Sequence, residues 1–358
     1  MGQLFLSLTA LGLLFWAQLA AATIHILESE SVHQPEHAEL VQWVACPEET
    51  AFCEIFISDF EATSLLSFAN ELNSGDVVNM SFGYQRIDDS AITRNHYQAL
   101  QAQGMSVEDY KNKFDERERL MRQMMTENPE VLFVAAAGNG APLTSMLGSV
   151  GQPLGPQFKI YPAFFEYDNL IKVTSINASN LDIKSEIPFE IPDYANYSSD
   201  FVDVAAPVEI DVNGTSFAAP YVARLAKEIQ SLVSAPLSRA DLKSVFLKSC
   251  FIPDIDHTLN TFQTYQQDHR GSVLGQIQNM FLPFRDRKAL IDDLHERPLI
   301  LVKCGGVISS EVAKSCARTF AEGSKSIRQS CLEAQIDAFA LSEGHQEKLT
   351  EFWDVQGL

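Results

Sequence analysis

The sequence predicts a doubly wound α/β fold with a mainly parallel sheet, and three observations predict it. Short β-branched or apolar runs recur between residues 23 and 205, at 23–27, 55–57, 77–80, 131–136, 170–174 and 201–205. Most are continuously apolar rather than alternating, as strands buried on both faces require. Helical stretches lie between them, so strand and helix alternate as parallel strands with crossovers do. The ligand site of such a sheet belongs at the carboxyl ends of its strands.

The elements follow in chain order. Residues 4–22, LFLSLTALGLLFWAQLAAA, are apolar, end in small residues and precede the first charge, Glu28. This stretch reads as a secretory signal peptide cleaved near Ala20 to Ala22, which makes the protein secreted or periplasmic; the basic n-region is missing, and an uncleaved anchor is the alternative. After the first strand run, the segment 64–72 places Leu65, Leu66, Phe68, Ala69 and Leu72 on one helical face. Residues 107–127 form a strongly charged helix, and 217–233 a more apolar one that opens directly after a Gly-Thr-Ser turn. Beyond residue 281 strand signals fade, and helices are expected at 309–321 and 324–340. The organisation is therefore a signal peptide (1–22), a main domain (23–281) and a small helical C-terminal domain (282–358) that contains cysteines.

The six cysteines are even in number in a chain that carries an export signal, so disulfides are permitted. Cys46 and Cys53 are close enough to staple one short loop. Cys304, Cys316 and Cys331 cluster in the tail, where a bridge back to Cys250 is open. No CxxC and no Cys/His spacing points to zinc, and no metal ligand or cofactor is assigned. With 47 acidic against 26 basic residues, the net charge of −21 argues against nucleic acid as a partner, because phosphate binding draws on clustered Lys and Arg.

Two clusters can carry chemistry. In Asn213-Gly-Thr-Ser216-Phe-Ala-Ala-Pro220 a serine sits where a turn enters a helix of small residues. Unpaired backbone N–H groups there can donate to a developing oxyanion, although Ser is also an ordinary N-cap. In Phe133-Val-Ala-Ala-Ala-Gly-Asn139-Gly an apolar strand ends abruptly, and Asn139 offers a neutral amide donor at its carboxyl edge or, alternatively, a turn residue.

Taken in order, these motifs resemble the subtilisin-type serine peptidases, the subtilases. Val77-Val-Asn-Met-Ser-Phe-Gly83 resembles their substrate-binding strand and Ala136-Ala-Gly-Asn139 their oxyanion segment. Tyr161-Pro-Ala163 with 170–173, and Tyr197-Ser-Ser199 with 204–207, resemble the loops and strands that follow. Gly214-Thr-Ser216-Phe-Ala-Ala-Pro220 resembles the nucleophile motif, and 271–278 the closing segment.

The resemblance implies an endopeptidase that cleaves polypeptides. Ser216 is then the nucleophile, and Asn139 with the Ser216 N–H forms the oxyanion hole. The substrate lies along Ser81, Phe82 and Gly83, with Ala136 and Gly138 forming a pocket wall of little bulk. His37, which opens a helical segment, is the best match to the family histidine; His25, His33 and His96 have weaker contexts. The family aspartate is absent. Glu28 stands in its place, and a carboxylate one methylene longer can still accept from the imidazole and fix its tautomer; Glu30 and Glu36 match no motif position. His37 follows Glu28 by nine positions, fewer than subtilases usually have. The missing aspartate keeps a second function open: a noncatalytic subtilase-like protein that binds or inhibits through the same groove.

Overall fold

The computed structural model describes residues 23–29, 35–47, 53–58, 62–85, 94–140, 151, 153–156, 158–177, 191–192, 194–198, 200–208, 214–251, 303–304, 307–323 and 325–358. The apolar stretch 4–22, Glu30, His33, Ser199, Asn213, the segment 271–278 and the side chain of His96 lie outside the described residues.

Strand β1 (Ile24–Ser29) leads through α1 (Pro35–Ala45) to β2 (Cys53–Ser58), and α2 (Ala62–Glu71) leads to β3 (Val77–Met80). The two-residue β4 (Tyr84–Gln85) is followed by α3 (Arg94–Ala102), the long α4 (Val107–Glu127) and β5 (Leu132–Ala136). Next come β6 (Ile160–Tyr161), β7 (Leu170–Asn177) and β8 (Val204–Val208). Helices α5 (Thr215–Leu232) and α6 (Arg239–Lys248) precede β9 (Cys250–Phe251). The described chain closes with β10 (Val307–Ile308), α7 (Ser310–Ala321), α8 (Ile327–Phe339) and α9 (Glu343–Gln356).

Eight of these strands form one sheet in the order β2-β1-β3-β5-β7-β8-β10-β9. All neighbours are parallel except β9, which runs antiparallel to β10. The fold is the doubly wound α/β class that the apolar runs predict. β3 and β5 are buried at every position, which is why their sequences do not alternate. The sheet order turns back between β1 and β3, the switch point where open α/β sheets form their crevice. Strand β8 begins at Val204 rather than at residue 201, because the Ser198 hydroxyl accepts from the Asp200 and Phe201 amides and holds a turn there.

Helix α4 spans the predicted residues. Ser106 caps it, accepting from the Asp109 amide while the Asp109 carboxylate reaches back, a reciprocal capping box. Its inner face buries Phe114, Leu120, Met121, Met124 and Met125, and its charges face outward in pairs such as Arg119 with Glu116.

The two-residue β10 is too short to leave a signal in the sequence, yet it puts the C-terminal region into the main sheet beside β8. The Cys250–Cys304 disulfide ties the same junction, and Cys316–Cys331 joins α7 to α8. The buried Gln335 amide donates to the Lys248 and Cys250 carbonyls and docks α8 onto the end of α6. Near the start of the chain, Cys46–Cys53 joins the end of α1 to β2.

At the amino end of the sheet, Asp76 collects the Thr23 and Asn73 amides and the His25 ring, 3.1 Å away. Burial pushes its carboxyl up, but those hydrogen bonds win and hold it below its usual 3.8. His25 is committed here, at the edge opposite the crevice.

Candidate active site

The turn before α5 is built around Gly214, whose φ of 146° lies where only glycine is comfortable. A Cβ on that residue would lie 2.9 Å from Ser216 Oγ and 3.2 Å from Asn139 Nδ2. The missing side chain thus leaves a small volume that the hydroxyl and the amide nitrogen both face. An acyl oxygen needs that kind of space between a nucleophile and a donor.

Ser216 has an unusual helical position. Its carbonyl should accept from the amide four residues on, but that residue is Pro220, which has no N–H. The Ser81 hydroxyl supplies the missing donor at 2.7 Å, and Asn79 Nδ2 donates to Ser81 Oγ at 2.9 Å. The Ser81 side chain, expected on the substrate face, therefore anchors the backbone of Ser216. Asn79 is fully buried and orients that hydroxyl.

Asn139 does not make the turn itself. Gly138 and Gly140 on either side take positive φ, 92° and 66°, and free the asparagine side chain for other work. Its Oδ1 accepts from the Thr215 amide at 2.9 Å and from the Thr215 hydroxyl at 3.0 Å. A backbone amide can only donate, so the oxygen is identified by its partner, and Nδ2 must be the atom turned to Ser216. The Thr215 hydroxyl also accepts from the Gly138 amide at 3.0 Å.

A second asparagine holds the same loop from behind. Asn196 is fully buried; its Nδ2 donates to the Ala137 and Gly140 carbonyls, and its Oδ1 accepts from the Gly140 amide. Its own amide donates to the Gly138 carbonyl. The backbone amides and carbonyls of Ala137, Gly138 and Gly140 are therefore all held.

Glu28 is the last residue but one of β1, and His37 lies in the first turn of α1, which packs on α5. His37 Nδ1 lies 3.4 Å from Glu28 Oε1, longer than a good N–H···O bond. Neither atom has a hydrogen-bond partner among the described residues, and both are shielded from solvent. The two atoms are thus in ion-pair contact without a formed hydrogen bond, and a small closing movement would satisfy both, since leaving buried polar atoms alone is costly. With the proton on Nδ1, facing Glu28, the lone pair belongs to Nε2. The imidazole leans on the Phe217 ring at 5.4 Å, so the residue next to Ser216 seats it. Glu36, the neighbouring acid in the first turn of α1, is exposed.

Residues 81–83 leave β3 at its carboxyl end and run toward β4, which pairs antiparallel with β6. Phe82 is buried and leans on Tyr84, and Ala136 closes β5 as a buried residue. The inner face of α4 covers this ribbon: the Tyr110 hydroxyl donates to the Gln85 carbonyl, and Arg117 lies over the Tyr84 ring. Burial pushes the Tyr110 phenol up to about 12.

The carboxyl ends of β1, β3 and β5 and the first turns of α1 and α5 thus carry Glu28, His37, Ser81, Asn139 and Ser216. Thr215 and Asn79, which lie inside the quoted motifs without being singled out there, and Asn196 and Ile160 of β6, which no local motif marks, shape the same place. Among the described residues, no group of three or more His, Cys, Asp or Glu side chains could hold a metal ion, and no helix is long and apolar enough to cross a membrane.

The model of the subtilase family matches residues 11–275 of the chain. No curated protein matches it. Among solved structures the chain is similar to one from a subtilase cytotoxin assembly, at 16% identity, covering 88% of this chain and 86% of that one with a TM-score of 0.44. It is also similar to a cold-adapted subtilisin-like serine proteinase, at 14% identity, 64% and 82% coverage and a TM-score of 0.41. The A-subunit of an AB5 toxin from E. coli is another, at 16% identity, 65% and 79% coverage and a TM-score of 0.37.

Proposed function

The chain belongs to the subtilase family, and from that premise we propose that it is an exported serine endopeptidase working through Ser216, His37 and Glu28. His37 takes the proton of Ser216 Oγ as the oxygen attacks a peptide carbonyl, and returns it to the leaving amine. The acyl-enzyme that remains is hydrolysed by water activated at the same imidazole. Glu28 fixes the imidazole tautomer and stabilises its charged form. Asn139 Nδ2 and the Ser216 amide hold the oxyanion, and the substrate runs in extended form along Ser81, Phe82 and Gly83 past Ala136 and Gly138.

The observation that carries this reading is the pairing of Glu28 with His37, buried atom against buried atom. It supports a charge relay over the noncatalytic alternative, whose signatures are a Ser216 to His37 separation too long for a hydrogen bond or a carboxylate turned away from the ring. No hydrogen bond joins Ser216 Oγ to His37 among the described residues, so the reading has the imidazole close on the hydroxyl when substrate binds. Export is supported by the apolar stretch 4–22 and by three disulfides with no free cysteine among the described residues.

The test is hydrolysis of an unstructured protein such as casein, together with labelling by a small fluorophosphonate. Wild type is expected to cleave and to carry the label on Ser216, and Ser216→Ala to do neither. A folded wild-type protein that takes no label contradicts the reading.

A further inference from the structure

Asn139 can hold charge on an acyl oxygen only while its amide stays aimed, and its chain neighbours do nothing to aim it. Gly138 and Gly140 flank it with φ of 92° and 66°, and glycine is the residue with the most backbone freedom to lose. Thr215 grips the far end of the side chain, at Oδ1. The backbone that carries that side chain has to be held from elsewhere.

Asn196 holds it with what a primary amide provides, two donors and an acceptor in one plane. Its Nδ2 donates to the Ala137 carbonyl at 3.0 Å and to the Gly140 carbonyl at 3.2 Å, while its Oδ1 accepts from the Gly140 amide at 3.0 Å. The side chain thus bridges the two ends of the turn and pairs with both polar groups of Gly140. Its backbone amide adds a bond to the Gly138 carbonyl at 2.9 Å, and an antiparallel bridge sets Ala195 opposite Asn139. Asn196 is anchored in its turn: it is fully buried, and its carbonyl accepts from the buried Thr174 hydroxyl of β7 at 2.6 Å. The fit is close. A Cβ on Gly138 would lie 2.9 Å from Asn196 Nδ2 and 3.2 Å from Ile160 Cγ2, a methyl that also lies 2.6 Å from the Cβ position of Gly83.

We propose that Asn196 is a positioning residue for the oxyanion donor: by tying both ends of the 137–140 turn to β7 it keeps Asn139 Nδ2 aimed at the space beside Ser216 Oγ, and it acts on the rate through Asn139. The proposal rests on the peptidase reading above and deepens it. The bonds just described go to the backbone of the turn, so their effect on the reaction is geometric. A displacement of about 1 Å costs a reaction on the order of 100-fold, and loss of an oxyanion donor outright about 100- to 1,000-fold. Losing Asn196 therefore forfeits part of what losing Asn139 forfeits, and nothing more once the Asn139 amide is gone.

The experiment is a double-mutant cycle on kcat in the full chain, with Asn196→Ala, Asn139→Ala and the pair. Each protein is checked for folding by circular dichroism, and its active sites are counted by fluorophosphonate labelling of Ser216. In the wild-type background Asn196→Ala is expected to lower kcat on a peptide substrate about 10- to 100-fold with KM within about threefold, the split of a group that matters in the transition state. In the Asn139→Ala background the same substitution is expected to change kcat by less than about threefold. A merely structural role lowers kcat by the same factor in both backgrounds. Asn196→Ser, which leaves a small polar side chain in place, repeats the cycle should the alanine variant not fold. Equal factors in the two backgrounds, or a kcat within about threefold of wild type in folded Asn196→Ala, overturn the proposal. Failure of both variants to fold assigns the residue to the fold alone and overturns it as well. A folded wild type that neither cleaves the peptide nor takes the label instead defeats the peptidase reading on which the proposal stands.

Discussion

Replacing Ser81 by alanine tests how Ser216 is held. The hydroxyl donates to the Ser216 carbonyl at 2.7 Å and accepts from Asn79 Nδ2 at 2.9 Å, all within the buried interior. Removing it strands one acceptor and one donor. An unsatisfied buried polar group costs about 1–3 kcal/mol, so the variant should lose about 2–6 kcal/mol of stability. The loss should appear as a lower urea midpoint with an unchanged slope. A second substitution isolates the cause. Pro220→Ala restores the amide that an α-helix directs at the carbonyl four residues back, which here is that of Ser216. In that background Ser81→Ala should cost at least about 1 kcal/mol less, a coupling that a double-mutant cycle reads directly. Strict additivity of the two substitutions, or a Ser81→Ala loss below about 0.5 kcal/mol, refutes the idea that the hydroxyl substitutes for a helical hydrogen bond.

Two further outcomes follow from the same contacts. Asn139→Ala removes the amide facing Ser216 Oγ and should lower kcat about 100- to 1,000-fold with little change in KM, measured on a peptide substrate; a matching rise in KM with kcat intact would assign Asn139 to ground-state binding instead. Asp76 has a folded pKa below its usual 3.8, so its charge contributes stability that is fully present above about pH 4 and is lost as pH falls through the folded value. Asp76→Asn should therefore flatten the stability profile below about pH 4 in acid-induced unfolding, and an unaltered acid limb would contradict the role given to the His25, Thr23 and Asn73 contacts.

The sheet is legible in the sequence wherever burial on both faces forces an uninterrupted apolar run. Val77 to Met80 is such a run, and Leu132 to Ala136 another. Helix α4 is legible from its charged outer face and its length. The strands β4, β6, β9 and β10 are not, because two residues carry no periodicity and owe their pairing to neighbours far along the chain.

The site divides in the same way. Ser216, Asn139 and Glu28 sit next to a glycine turn or a strand end that marks them. Thr215 is legible only as part of a motif, and its hold on Asn139 depends on a contact across 76 residues. Asn196 reaches the 137–140 loop across 56 residues or more, and Ile160 meets two glycines that no local pattern connects to it. Side chains that act through tertiary contacts of this kind leave no spacing to read.

The central claim is that Glu28, standing where subtilases carry aspartate, drives His37 and through it Ser216. The most direct measurement is the rate of Ser216 modification by a fluorophosphonate in wild type and in Glu28→Gln, with folding of both verified by near-ultraviolet circular dichroism. Glutamine keeps the shape but no longer favours the working tautomer, and the rate should fall by about 1,000- to 10,000-fold. A folded Glu28→Gln protein that reacts within about threefold of wild type would show that the carboxylate takes no part.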